Sequence, residues 1–93
     1  MKDDLLNKNV SFVKILANED RLSIIQLLKE HPKLCAKDIG AKFYLEQSTT
    51  SHHLNLMKRV GLVDTVKQGR NIFYSLNHDK LKKYFVDFQN YLF

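Results

Sequence analysis

Residues 47–59 carry a dense group of short hydrogen-bonding side chains. Amides, hydroxyls and imidazoles of this length can donate to and accept from base edges in a DNA major groove, and a glutamine such as Gln47 can pair bidentately with adenine. Hydroxyls beside the positive end of a helix also suit phosphate. At about 100° per residue, Thr50, His53, Leu54 and Met57 fall on one side of a helix. Ser48, Ser51, His52, Asn55 and Arg59 fall on the other. The first side reads as core. The second is polar in the way any solvated face is polar. However, ordinary exposed faces favour Glu, Lys and Gln, whereas Ser48, Thr49, Thr50, Ser51, His52, His53 and Asn55 are all poor helix formers. The pattern predicts contact with double-stranded DNA through Gln47, Ser48, Thr49, Ser51, His52, Asn55 and Arg59, with Lys58 on the duplex backbone.

A second polar group, Lys67, Gln68 and Arg70, surrounds Gly69. It can reach phosphates or a minor groove, or it can blunt an exposed strand edge. Cys35 is the only cysteine, so an intrachain disulfide is ruled out, in keeping with a reducing compartment. Free cysteine usually behaves as a small buried apolar residue. The alternative is a redox thiol activated by Lys33 and Lys37. His31, His52, His53 and His78 are scattered apart from one adjacent pair, and adjacent helical residues point too far apart to share an ion. No metal or cofactor site is expected from them, and His53 is expected to pack inward with one hydrogen bond. No Ser/His/Asp arrangement, phosphate-binding glycine loop or paired-carboxylate signature stands out, so an enzyme is not expected.

The elements that must position these groups follow from periodicity. Leu5, Leu6, Val10, Val13 and Ala17 predict a helix over 3–17. Asn18 can cap a second helix with Leu22, Ile25 and Leu28 as its buried stripe, ended by His31-Pro32. Cys35, Ile39 and Phe43 predict a third helix over 34–43. Tyr44-Leu45-Glu46 is a tight connection, and a fourth helix runs from Gln47 to about Arg59, stopping before Gly61. The period then changes. Residues 62–67 and 71–76 are rich in β-branched and aromatic residues around Gln68-Gly69-Arg70, which makes a β-hairpin. Asn77 can cap a last helix with Leu81, Tyr84, Phe85, Phe88 and Leu92 along one face. The fold class is mainly α with a β-hairpin wing, in the order α-α-α-α-β-β-α. That is a winged helix-turn-helix filling a single domain, residues 1–93.

Charge agrees with a polyanionic partner. The net charge is +5. Acidic and basic residues cancel over residues 1–30, and ten Lys/Arg face five Asp/Glu over residues 31–93. No apolar run approaches the about 20 residues that span a membrane. The start, Met1-Lys2-Asp3-Asp4, lacks a signal-peptide core, so a cytoplasmic location is expected. The terminal helices are strongly apolar for so small a domain. Leu5, Phe12, Leu81, Tyr84, Phe85, Phe88 and Leu92 either cap the monomer core or form a homodimer interface.

Several segments are similar to one family. They are Leu16-Ala17-Asn18-Glu19-Asp20-Arg21-Leu22, Gln47-Ser48-Thr49-Thr50-Ser51-His52-His53-Leu54, Gly61-Leu62-Val63, and Gln68-Gly69-Arg70 leading to Tyr74-Ser75-Leu76. Together they resemble the ArsR/SmtB winged-helix repressors over about Val10 to Leu92. The resemblance implies a homodimer that binds an imperfect inverted repeat and represses. Gln47, Ser48, Ser51 and His52 would touch bases and phosphates, and Lys67 to Arg70 would form the wing. It also implies that the terminal helices build the dimer. Glu46 replaces the small hydroxyl often found before this helix, which predicts a weak N-cap.

The family's metal sites are degenerate in this chain. Its Cys-x-Cys pair corresponds to Cys35-Ala36-Lys37, where an ammonium replaces the second thiolate. Its Asp-x-His site corresponds to His78-Asp79-Lys80, but the ligands that should follow are replaced by Phe88-Gln89-Asn90-Tyr91. Three or four ligands are needed together. The sequence identifies no inducer. Alternative functions are a protein-interaction module on the same scaffold and a thiol-responsive repressor using Cys35.

Overall fold

Asn18 sets the first corner of the chain. In the computed structural model, which describes residues 2–93, its side chain accepts a hydrogen bond from the Arg21 N–H at 3.0 Å. This cap separates α1 (Lys2–Leu16) from α2 (Glu19–Glu30). Met1, the first residue of the expected domain, lies outside the described residues. Pro32 keeps His31 extended, at φ −119°, and ends α2. There follow β1 (Leu34–Cys35), α3 (Ala36–Phe43), α4 (Gln47–Arg59), β2 (Val63–Gln68), β3 (Asn71–Leu76) and α5 (His78–Leu92). Asn77 caps α5 by accepting from the Lys80 N–H at 2.9 Å.

Three details depart from the sequence reading. Residues 34 and 35 are not the start of a helix. They pair antiparallel with Tyr74 and Phe73, so the wing is a three-stranded sheet in the order β1-β3-β2. The period shared by Ile39 and Phe43 is helical, but a two-residue strand has no period of its own. On α2 the buried residues are Ile24, Leu27 and Leu28. Leu22 is 47% exposed and points away from them. On α1, Leu5, Leu6, Val10 and Val13 are all exposed, while Asn9, Phe12 and Ile15 face inward. Buried Asn9 is satisfied by donating to the Leu5 carbonyl at 2.8 Å.

The α3–α4 corner is tight. Tyr44 takes a left-handed φ of 55°, and the Leu45 N–H reaches back to the Gly40 carbonyl at 2.9 Å. A Cβ on Gly40 would meet Thr50 Oγ1 at 3.0 Å, so glycine sets how closely the two helices approach. In the hairpin Gln68 pairs with Asn71. Gly69 and Arg70 therefore make a two-residue turn, with the positive φ, 61°, on the glycine, the arrangement of a II′ turn.

The core joins α2, α3, α4 and the sheet through Ile24, Leu28, Ile39, Leu54, Met57, Leu62 and Val63. A second cluster joins the terminal helices. Phe12, 2% exposed, stacks on Tyr84 at 4.9 Å and meets Phe85 and Phe88 edge-on. The Tyr84 hydroxyl donates to the Val60 carbonyl at 2.8 Å, tying α5 to the end of α4. Tyr84→Phe should lower stability by about 1 kcal/mol, since the carbonyl loses its partner while the ring stays. Urea denaturation measures this, and an unchanged midpoint would show that water replaces the hydroxyl. Among the described residues no helix is long and apolar enough to cross a membrane.

Candidate nucleic-acid interface

Helix α4 is seated by its inner face. Thr50, His53, Leu54 and Met57 are its buried residues, the four placed inward by the helical period. Gln47, Ser48, His52, Asn55, Lys58 and Arg59 are exposed, and Thr49 and Ser51 are half-buried. Most of the expected base-reading face therefore stands clear of the fold. Glu46 makes no side-chain cap, and the first turn of α4 holds no acidic residue. Thr50 instead folds back, its hydroxyl donating to the Glu46 carbonyl at 3.0 Å. The free N–H groups of that first turn stay available to an anion.

Lys37 joins this site without having been assigned to it from sequence. A cavity of about 360 Å³ between α3 and α4 is bordered by Lys37 together with Gln47 and Ser51. The Lys37 side chain is exposed. Its position in the first turn of a helix that precedes α4 was the available signal. Lys67, Gln68 and Arg70 are exposed at the end of the β2–β3 hairpin. That hairpin is fixed to α4 through Met57, Leu62 and Val63, so wing and helix belong to one packed unit.

His53 sits beneath the reading face with 5% exposure. Its Nδ1 lies 3.2 Å from Nη1 of Arg21, and its Nε2 lies 3.5 Å from the Asp20 carboxylate. Burial, reinforced by the Arg21 guanidinium, holds the imidazole below its usual pKa, and Asp20 opposes the shift. Cys35 is neither helical nor in the core. It is half-buried on β1, and its thiol donates to the Asp38 carboxylate at 3.1 Å. His31 and His78 lie exposed on other elements. No group of three or more His, Cys, Asp or Glu side chains that could hold a metal occurs among the described residues.

The terminal helices carry the expected interface residues unequally. Leu5 (55%), Phe85 (50%) and Leu92 (56%) are exposed, as are Leu6, Val10 and Val13 on α1 and Val86 and Tyr91 on α5. Leu81, Tyr84 and Phe88 are half-buried. Phe12 is different: its own chain already covers it, so it braces α1 against α5 and presents little surface to a partner. Lys8 and Asp87 form an ion pair between the two helices at 3.0 Å.

Residues 18–65 match the model of the family described as bacterial regulatory protein, arsR family. Over 70 residues the chain is 40% identical to the cadmium resistance transcriptional regulatory protein CadC of Listeria innocua, covering 75% of this chain and 59% of that protein. The chain thus spans less than two thirds of that relative. It is 36% identical over 80 residues to an arsenical resistance operon repressor of Staphylococcus xylosus, covering 86% of this chain and 71% of that one. Among solved structures, it superposes on a homodimeric winged helix-turn-helix DNA-binding domain from Mycobacterium bovis, a possible ArsR-family transcriptional regulator. The TM-score is 0.77 at 26% identity, covering 98% of this chain and 83% of the other.

Proposed function

The chain belongs to the ArsR family of bacterial regulatory proteins, and we propose that it is a homodimeric transcriptional repressor that binds an inverted repeat in double-stranded DNA. One observation carries the reading: α4 has four buried anchoring residues and, facing away from them, a largely exposed set of short hydrogen-bonding groups, with Thr49 and Ser51 half-buried and Lys58 and Arg59 at its end. Ser51, His52 and Asn55 read base edges, while Gln47, Ser48 and Thr49 lie at the positive helix start, where bases and phosphates are both in reach. Lys37, Lys58, Lys67, Gln68 and Arg70 take the backbone of the duplex. The protein acts in the cytoplasm, by binding and not by catalysis.

The uncovered apolar side chains of α1 and α5 support the homodimer. A two-fold pair sets two copies of α4 one or more helical turns apart on DNA. The degenerate Cys35/Lys37 and His78 positions argue against the family's metal sensing in this chain.

Selection of bound duplexes from random sequence is the direct test, and an inverted repeat should emerge. Ser51→Ala or His52→Ala should then weaken the selected site by about 1–3 kcal/mol while leaving nonspecific DNA nearly unaffected. Log affinity should fall steeply with log salt, by about 0.9 per phosphate neutralised. Equal affinities for wild type and both variants would remove α4 as the reading helix.

A further inference from the structure

The pair Arg21 and His53 takes no part in the proposed reading face, yet it connects three helices. Arg21 lies in the first turn of α2. Its Nε–H donates to the Ile15 carbonyl at 2.8 Å and its Nη2–H to the Lys14 carbonyl at 2.9 Å. These carbonyls belong to the last turn of α1, where no N–H donor of the same helix remains to satisfy them. The third arm of the guanidinium, Nη1, reaches His53 Nδ1 at 3.2 Å in the middle of α4.

A guanidinium has only donors and stays charged. His53 Nδ1 must therefore be the acceptor, which places the ring proton on Nε2, on the side of the Asp20 carboxylate. This tautomer is neutral. A second proton would have to sit on Nδ1, between the ring and Nη1. Donor would then face donor, and two positive charges would share a site that is 5% exposed.

We infer that Asp20, Arg21 and His53 form a proton-sensitive positioning link: neutral His53 lets Arg21 bind α4 to the end of α1, and acidification releases α4 and weakens DNA binding. The last step rests on the DNA-binding reading above; the link itself does not.

The charges around His53 favour this outcome. From α2 it meets Arg21 and Asp20. On α4 its neighbour is His52, with ring centroids 5.9 Å apart. From α1 the Lys14 and Ile15 carbonyls bind Arg21, while Ser11, Lys14 and Arg59 border a groove beside the guanidinium. Asp20 alone favours the imidazolium. Its carboxylate is farther away, at 3.5 Å, and its side chain is 46% exposed, so water screens it. Burial and Arg21 prevail and lower the His53 pKa. The unfolded chain takes up this proton near the ordinary value of about 6.5, and the folded chain only at lower pH. The contribution of the link to stability is therefore complete above that value and is lost as pH falls through the folded value.

His53→Asn is the informative variant, because its Oδ1 can accept from Arg21 and it does not titrate. Thermal midpoints and affinity for duplexes selected in vitro should be followed from about pH 8 to about pH 5.5, across the histidine range. His52→Asn should be measured alongside, to subtract its exposed neighbour. Wild type should lose affinity progressively as the pH falls through the histidine range. Its midpoint should fall by at least about 4 °C. His53→Asn should be nearly flat in its midpoint, and in its affinity once the His52 contribution is subtracted. Nitrogen NMR of the wild-type imidazole needs no variant. It should show the Nε2–H tautomer at high pH and a pKa below the ordinary one. An Nδ1–H tautomer, or acid profiles shared by wild type and His53→Asn, would overturn the link. Failure to select any duplex would count against the DNA reading alone, because the tautomer and the midpoints still decide the link.

Discussion

Phe12→Ala should destabilise the fold by about 3–5 kcal/mol, the range for deleting a buried aromatic ring. Phe12 is 2% exposed and touches three aromatic rings of α5. Its loss removes a large apolar contact and leaves a cavity between the two terminal helices. The Lys8–Asp87 ion pair there has a half-exposed lysine and holds little on its own. Small domains are stable by only about 5–15 kcal/mol, so the variant should be close to unfolding at ordinary temperature. Urea denaturation at fixed protein concentration measures the effect, since dimer formation adds a concentration dependence. Phe12→Leu should retain part of the lost stability. A loss below about 1 kcal/mol for the alanine variant would mean that α1 is held by something other than this cluster.

Glutamate at Leu5 and Leu92 together should leave the single chain folded and abolish the pair. Both side chains are at least half exposed, and surface substitutions usually change stability by about 0.5 kcal/mol or less. In a two-fold interface each substitution appears twice, so four carboxylates would enter an apolar contact. Separate protomers lose the gain of engaging two half-sites at once. Affinity for a selected inverted repeat should therefore fall by about 10²–10⁴-fold. Sedimentation equilibrium reports the dimer and fluorescence anisotropy the affinity. Unchanged mass and affinity would place the interface elsewhere and leave the apolar faces of α1 and α5 without a partner in the homodimer.

The difference between Phe12 and Leu5 shows where sequence reasoning stops. Both are large apolar residues on α1, and both were expected at an interface. Nothing within α1 says which side of the helix meets α5. The apolar stripe through Leu5, Leu6, Val10 and Val13 has a helical period but faces outward, while Asn9, Phe12 and Ile15 face the fold. Leu22 on α2 follows the same rule. Periodicity identifies a helix and leaves its rotation open when apolar residues occur on more than one side.

Helix α4 is where sequence alone was sufficient. Its bounds, its four inward residues and its polar outer face follow from one period, because positions 48, 51, 52, 55 and 59 on the outer side are all polar. Caps at Asn18 and Asn77, the stop at Pro32, the turn at Gly69 and the weak cap at Glu46 were equally legible. Each is an interaction between residues a few positions apart, and local spacing determines it. The tertiary structure alone decided the rest: the pairing of Leu34 and Cys35 with β3, the place of Lys37 beside Gln47 and Ser51, and the meeting of Arg21 with His53. These contacts join residues far apart in the chain. Their geometry depends on how packed helices and strands are rotated against one another, which no single segment encodes.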